Sequence, residues 1–272
     1  MSIETTRPKH DSAVTSVRAG AKIALIVLAS VVLMPLQWVL MRFTRGRASF
    51  ALPRLWFRCM RSAIGLRVEL VGVPRDAGGT LFVGNHVSHF DIVLLGSILR
   101  ARFIAKSEIE GWPAMRFIGE LAQTLYISRR ARDAASVAAS IAKQMRPDHD
   151  LVLFAEGTTS SGERVAPFKS SLFAPFLVEP AVQTWKLQPF TLDVVSFDGQ
   201  KLSAGGDRDG YALHGAMDAG VHVKRFLQMS GALVRVTFHP PIDIHPGMDR
   251  KLLALQAHDA VESSLSVPYY PD

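Results

Sequence analysis

The feature of this sequence that most limits its fold is an apolar run near the amino terminus, residues 23–41, which contains no charged side chain. As an α-helix such a run extends about 28 Å, close to the roughly 30 Å of a bilayer hydrocarbon core. Arg18 and Lys22 precede it, and Arg42 and Arg45 follow it. Because both flanks are basic, charge does not orient the helix. The pattern fits either a membrane span or a helix that lies in the interface.

The segment after this run is predicted to be a basic amphipathic helix. Its apolar face carries Leu52, Leu55, Trp56, Cys59 and Ala63, and its opposite face carries Arg47, Arg54, Arg58 and Arg61. Taken alone, such a helix fits an anionic membrane surface and packing on a globular domain equally well. The apolar run before it favours the membrane. We therefore predict that residues 1–65 form membrane-anchoring helices.

Composition supports a folded chain with a membrane partner. Hydrophobic residues make up 48% of the sequence and charged residues 20%, which argues against disorder. The net charge of +7 fits either nucleic acid or an anionic membrane. The basic residues cluster around the apolar run, and the sequence contains no recognisable nucleic-acid-binding motif. We predict a membrane partner and no nucleic acid. The single cysteine, Cys59, excludes an intramolecular disulfide.

Residues 66–272 are predicted to form a single α/β domain with a mixed, partly parallel sheet flanked by helices, because short β-rich runs alternate with helical stretches. The strands are expected at residues 67–71, 81–83, 102–105, 124–127, 151–154, 187–195 and 233–238. Helices are expected at residues 91–100, after Trp112-Pro113, at 131–146 and at 250–266. The Gly/Asp-rich segment 198–210 is predicted to be a surface loop.

A polar motif, Asn85-His86-Val87-Ser88-His89-Phe90-Asp91, follows the predicted strand 81–83. Active sites of open α/β sheets gather at the carboxyl ends of strands. His86 and Asp91 can meet if His86 lies in the turn and Asp91 in the first turn of the next helix. Asp91 would then bind one imidazole nitrogen and leave the other as a base for an alcohol proton.

Other roles for this motif remain open on residue types alone. Asp91 fits a helix N-terminus, where the helix dipole favours an acidic side chain. His86 and His89 are possible metal ligands of a hydrolase, although no further His/Cys/Glu cluster accompanies them. Ser88 is a possible nucleophile, but the chain has no G-x-S-x-G elbow.

Two further strand ends carry polar residues. Glu156, Gly157, Thr158 and Thr159 follow the predicted strand 151–154. They fit either an ordinary polar turn or a site whose carboxylate and amides bind acceptor hydroxyls or the acyl carbonyl. Arg129, after the predicted strand 124–127, suits phosphate or carboxylate recognition; alone, it fits a solvated residue at a helix start better.

Together these motifs resemble the 1-acylglycerol-3-phosphate acyltransferase family of glycerolipid acyltransferases. The family's N-H-x-x-x-x-D block matches Asn85, His86 and Asp91. Its other three blocks resemble residues 125–129, 154–160 and 188–190, and its usual lysine resembles Lys106. The resemblance covers roughly residues 66–195, and four ordered blocks are far more specific than one motif.

The resemblance implies an acyltransferase that moves a fatty acyl chain from an acyl carrier protein or coenzyme A thioester to the hydroxyl of a lysolipid. It makes His86 the general base and Asp91 its orienting partner. The expected substrate-binding residues are Asn85, Arg129, Glu156, Gly157, Thr158, Thr159, Lys106 and Lys169. No metal or other cofactor is implied, and the expected location is the cytoplasmic face of a bacterial inner membrane.

The third block departs from the family pattern at two positions. Ala155 replaces a proline, and Thr159 replaces the arginine that helps to hold the acceptor phosphate. Threonine cannot supply a charged fork of donors, so the acceptor stays open between lysophosphatidate, which the resemblance implies, and lyso-ornithine lipid or another lysophospholipid as the alternative. Arg164 or Lys169 is predicted to reach the acceptor head group instead. An inactive membrane-surface binding protein is the alternative of another class.

Overall fold

The protein is described from a computed structural model, in which residues 12–106, 119–120, 122–127, 141–142, 145–146, 148–178, 185–202 and 208–266 are placed. The helices are α1 (Ser12–Leu40), α2 (Ala51–Ala63), α3 (Phe90–Ile98), α4 (Ala219–Gln228) and α5 (Arg250–Glu262), with 3-10 helices at Gly46–Phe50 and Ser170–Phe176. The strands are β1 (Leu66–Val71), β2 (Thr80–Gly84), β3 (Ala101–Lys106), β4 (Leu125–Ile127), β5 (Asp150–Phe154), β6 (Lys186–Phe197), β7 (Gln200–Lys201), β8 (Ala232–Phe238) and β9 (Ile242–Asp243).

The strands form one sheet in the order β1-β8-β6-β2-β5-β3-β4, with β7 and β9 paired to β6. Neighbouring strands from β6 to β4 are parallel, as are β1 and β8, whereas β8 runs antiparallel to β6. The central strand β2 is buried along its whole length, as expected for a strand covered on both faces. The predicted mixed, partly parallel sheet flanked by helices is confirmed.

Strand register places two polar loops side by side. In the parallel pair of β2 and β5, Gly84 lies opposite Phe154. The chain leaves both strands at the same edge of the sheet, towards His86 and Glu156. Gly84 also packs against β6 so closely that a Cβ atom there would lie 2.4 Å from the carbonyl oxygen of Phe190. A glycine at this position therefore lets β6 pass close to the ends of β2 and β5, below the loops.

Helix α1 lies along the globular domain instead of standing apart from it. The Lys22 amine donates to the carbonyls of Ile64 (3.1 Å) and Met229 (2.6 Å), and the Gln37 amide donates to the carbonyl of Ser49 (3.0 Å). Its apolar contacts with the core come from one stripe: Ala19, Ile26, Ala29, Leu33 and Met34. The remaining faces expose apolar side chains, among them Val17, Leu28, Val31 and Leu36.

By length and composition, α1 is apolar enough to cross a membrane: its segment Val14–Leu40 contains an 18-residue window with a mean hydropathy of 2.4. One stripe of α1 packs against the core of the domain, and its other faces expose apolar side chains.

Helix α2 packs on the globular domain along part of its predicted apolar face. Trp56 and Phe57 are buried in the domain core, and the indole of Trp56 donates to the hydroxyl of Ser30 on α1 (2.9 Å). On the basic side, Arg54 and Arg58 donate to the carbonyl of Ser97, at the end of α3 (3.4 and 3.2 Å). An amphipathic pattern does not distinguish a lipid surface from a protein surface, and here protein covers the buried side.

Segment 198–210, predicted to be a surface loop, is exposed at Gly199 and Gln200 but has one buried end, and its residues 203–207 lie outside the described residues. Arg208 and Gly210 are buried, and β7 interrupts the segment. Helix α4 and the second 3-10 helix were not predicted. The helix expected after Trp112-Pro113 and most of the helix expected at 131–146 lie outside the described residues.

The contact between α2 and α3 provides a test of the fold. A Cβ atom on Gly96 would lie 2.4 Å from the Phe57 ring. Gly96→Ala is therefore expected to lower the free energy of unfolding by about 1–3 kcal/mol, measured by chemical denaturation. The control is Gly20→Ala on α1, where nothing lies within 4 Å of the added atom. An equal or smaller loss in Gly96→Ala than in the control would contradict the packing.

Candidate active site

The turn between β2 and α3 brings His86 and Asp91 together. The His86 Nδ1 atom lies 2.8 Å from the Asp91 Oδ2 atom. Asp91 occupies the first turn of α3, as the sequence predicted. The His86 side chain remains 17% exposed, and among the described residues no group is hydrogen-bonded to its Nε2 atom. The imidazole therefore has one nitrogen held by the carboxylate and one without a hydrogen-bond partner among the described residues.

Asp91 is fully buried, and its carboxylate is satisfied by four donors. Its Oδ2 atom accepts the backbone amides of Val87 (2.7 Å) and Ser88 (2.9 Å) besides the His86 ring. Its Oδ1 atom accepts the hydroxyl of Tyr211 (2.8 Å). These bonds compensate the removal of a carboxylate from water and fix the orientation of the imidazole.

Glu156 lies below His86 and holds its backbone. Its Oε1 atom accepts the amide of His86 (2.9 Å), and its Oε2 atom accepts the amide of Ala166 (3.4 Å). The side chain is only 2% exposed. Burial raises the pKa of Glu156 to about 7, against the opposing effect of these amide hydrogen bonds. Both carboxylate oxygens thus bind backbone amides of the protein and are buried.

The 156–160 loop also binds the carbonyl side of His86. The Ser160 amide donates to the His86 carbonyl (2.8 Å), as does the Ser160 hydroxyl (3.2 Å). The Phe154 ring stacks on the imidazole with a centroid distance of 3.9 Å and an interplanar angle of 11°. The backbone and the ring of His86 are therefore both held by residues of β5 and its loop.

Asn85 is fully buried and fastens the end of β2 to β6. Its side-chain amide donates to the carbonyl of Leu192 (2.9 Å), and its oxygen accepts the amide of Leu192 (2.8 Å). The structure therefore places Asn85 in the sheet beneath the site.

The remaining predicted residues lie around this centre or outside the described residues. Thr158 and Lys169 are exposed and Thr159 is half-buried. Gly157 has a φ of 72°, and a Cβ atom there would lie 2.6 Å from the Lys169 amine, so the lysine covers this turn. The exposed Arg164 lies in the same loop. Lys106 ends strand β3, but its side chain is not described, and Arg129 lies outside the described residues.

Two site residues were not found from sequence. Tyr211 lies in a segment predicted to border a surface loop, and no local pattern connects it with Asp91. Phe154 was noted as the last residue of a predicted strand and the first of a family block, but no role was predicted for it. Its position next to the motif Glu156-Gly157 is the signal that it lies at the same edge as His86.

The second histidine of the turn, His89, packs against Phe90 and His222 with centroid distances of 4.2 and 5.3 Å. Burial, with a smaller effect of the neighbouring His222, lowers the pKa of His89 to about 4. His89 is therefore neutral at neutral pH. Among the described residues, no three His, Cys, Asp or Glu side chains converge as metal ligands, so the structure gives the metal-hydrolase interpretation no support.

Comparison with known proteins agrees with this geometry. Residues 67–179 match the family model described as Acyltransferase. This range contains His86, Asp91 and Glu156 but not Tyr211. The crystal structure of the 1-acyl-sn-glycerophosphate acyltransferase PlsC from Thermotoga maritima shares the fold, with a TM-score of 0.56 at 17% identity over 90% of this chain and 94% of that one. The class of protein is an acyltransferase.

The relatives define the family. The lyso-ornithine lipid O-acyltransferase of Brucella abortus (strain 2308) is 30% identical over 92% of this chain and 94% of that protein. Its counterpart from Pseudomonas aeruginosa is 33% identical over 79% and 78%. The 1-acyl-sn-glycerol-3-phosphate acyltransferase of Neisseria gonorrhoeae is 35% identical, but over 40% and 43%. The chain belongs to the acyltransferase family that contains these enzymes, as its motifs predicted.

The raised pKa of Glu156 predicts a pH dependence of stability. The carboxyl group binds its proton more tightly in the folded protein, with a pKa of about 7, than at the ordinary value of 4.5. Its contribution to stability is therefore complete below about pH 4.5 and is lost as the pH rises towards 7. The loss amounts to at most roughly 3 kcal/mol.

In Glu156→Gln this decline is expected to disappear, as measured by denaturant unfolding between pH 5 and 8. Glu163→Gln is the matched control, because Glu163 is exposed in the same loop. A wild-type slope that persists in Glu156→Gln would contradict the assignment.

Proposed function

We propose that the protein transfers a fatty acyl chain from an acyl carrier protein or coenzyme A thioester to the free hydroxyl of lyso-ornithine lipid. The observation that carries this proposal is the 2.8 Å contact between His86 Nδ1 and the buried Asp91. It leaves Nε2 without a hydrogen bond to the described residues, at the edge where the loops converge. A histidine held in this way is suited to take a proton from an alcohol near neutral pH.

In the proposed reaction, the acceptor hydroxyl lies against His86 Nε2. As the hydroxyl oxygen attacks the thioester carbonyl carbon, its proton passes to the imidazole. Asp91 stabilises the resulting imidazolium. The tetrahedral intermediate then collapses, the carbon–sulfur bond breaks, and the thiolate leaving group takes the proton from the imidazolium. The acyl chain passes directly between substrates, and no acyl-enzyme forms.

The surrounding residues divide into two groups in this proposal. Asn85 and Glu156 position the turn from below, since their polar atoms bind backbone groups. Thr158, Thr159 and Lys169 face the acceptor, since they are exposed or half-exposed beside the turn. Arg164 in the same loop is a further candidate for the head group, and Gly157 gives the loop its turn. Lys106 and Arg129 remain acceptor-binding residues on the family resemblance alone.

The choice of lyso-ornithine lipid over lysophosphatidate rests on two features. Thr159 stands where lysophosphatidate enzymes carry an arginine, and a hydroxyl cannot form the charged, two-pronged contact that a phosphate favours. The relatives that extend along most of the chain bear the name lyso-ornithine lipid O-acyltransferase. Lysophosphatidate remains the second candidate acceptor.

We further propose that α1 lies in the plane of the membrane at the cytoplasmic face. Hydrogen bonds from Lys22 and Gln37 hold both halves of the helix to the domain, whereas Val17, Leu28 and Val31 are exposed on its other faces. A helix that crossed the bilayer would have to leave these partners. In this proposal residues 1–65 anchor the protein and residues 66–272 form the acyltransferase domain, with the site close to its lipid substrate.

The reaction is tested with labelled acyl carrier protein and coenzyme A donors and a panel of lysolipids. His86→Ala is expected to lower the rate of transfer to lyso-ornithine lipid by about 10²–10⁴-fold, because the general base is lost. The matched control is His245→Ala, at an exposed histidine far along the chain, with transfer unchanged. Retained membrane binding without His86-dependent transfer to any acceptor would instead support an inactive membrane-surface protein.

The placement of α1 is tested by labelling from one side of the membrane. Ser16→Cys and Arg45→Cys, each in a Cys59→Ser background, place single thiols beyond or near the two ends of α1. A membrane-impermeant maleimide is expected to label both positions in inverted vesicles and neither in spheroplasts. Labelling of one position in each preparation would show that α1 crosses the membrane.

A further inference from the structure

The strongest contact to the catalytic pair from outside the family motifs comes from Tyr211. Its hydroxyl donates to Asp91 Oδ1 over 2.8 Å, and the residue is fully buried. The other donors to Asp91 are two backbone amides and the His86 ring itself. Among the described residues, Tyr211 is therefore the only side chain besides His86 that binds this carboxylate.

The protein holds the Tyr211 hydroxyl in place from several directions. The ring packs against Phe90 on α3 and Phe226 on α4, with centroid distances of 6.0 and 6.1 Å. The backbone of the same segment is tied to the catalytic turn, since the Leu213 amide donates to the Val87 carbonyl (2.9 Å). Burial and the neighbouring Asp91 raise the pKa of Tyr211 above its ordinary value, so the phenol remains a donor.

We propose that Tyr211 is a positioning residue that sets the orientation and charge distribution of Asp91, and thereby the basicity of His86. A donor on Oδ1 prevents the carboxylate from rotating away from the imidazole. It also draws charge from the oxygen that faces His86, which limits the stabilisation of the imidazolium. The base is thus kept ready to release its proton to the leaving thiolate.

Other titratable groups face the pair and must be separated from this effect. His89 lies just before α3 and Glu156 in the loop after β5. Arg208 and Asp209 are charged residues in the segment that carries Tyr211. Glu156 is the main competitor, because its pKa of about 7 falls in the range where a histidine titrates. The comparison is therefore made in Glu156→Gln as well as in the wild-type background.

The test compares Tyr211→Phe with Thr191→Val. Both variants delete one fully buried hydroxyl, but the Thr191 hydroxyl donates to the Val261 carbonyl (2.7 Å) and does not contact the site. Tyr211→Phe is expected to lower kcat about tenfold, as loss of a hydrogen bond worth about 1.4 kcal/mol would. The acid limb of its pH–rate profile is expected to move to higher pH by roughly half a unit or more. Thr191→Val should lose stability alone.

The inference rests on the proposed role of His86, so a second readout makes it independent of turnover. In protein labelled with ¹⁵N-histidine, the titration midpoint of the His86 ring should also move to higher pH in Tyr211→Phe. If wild type shows no His86-dependent transfer, the proposed function fails while this midpoint still decides the role of Tyr211. An unchanged midpoint in a folded Tyr211→Phe protein overturns the inference.

If Tyr211→Phe does not fold, 3-fluorotyrosine incorporation keeps the hydroxyl and makes it a stronger donor. The His86 midpoint is then expected at lower pH than in unlabelled protein. No movement would overturn the inference.

Discussion

The site depends on a single buried charge. Asp91 lies at the start of α3 with no contact to solvent, and the donors it receives come from two separate parts of the fold. The turn after β2 supplies the amides, and a segment far along the chain supplies Tyr211. An unsatisfied buried carboxylate would be costly. The site is consequently formed only when the β2 turn, α3 and the segment before α4 have assembled.

Strand pairing explains why the loops after β2 and β5 form one site. Strands β2 and β5 are parallel neighbours. The loops that follow them therefore lie side by side as soon as the two strands pair. Glu156 and Ser160 then bind the backbone of His86 on its amide and carbonyl sides. Motifs that are 70 residues apart in sequence thus form one unit because of strand order.

Much of the fold and part of the site could be predicted from the sequence. The β-rich runs predicted the seven long strands of the sheet, and the spacing of His86 and Asp91 predicted a turn followed by a first helical turn. These features are local, because the pattern that indicates a strand or a helix start lies in residues that are neighbours in sequence. Local patterns could not predict Tyr211, because its partner is distant, nor whether α2 packs on protein or lipid, because both surfaces are apolar.

The attachment of α1 has a consequence for how the enzyme can be handled. The helix supplies Ser30 to the Trp56 indole and caps the carbonyl of Ile64 with Lys22. Deleting it to obtain a soluble fragment would uncover the tryptophan and leave polar groups without partners. The segment is therefore a structural part of the acyltransferase domain, and solubility is better sought by changing its exposed apolar side chains than by removing it.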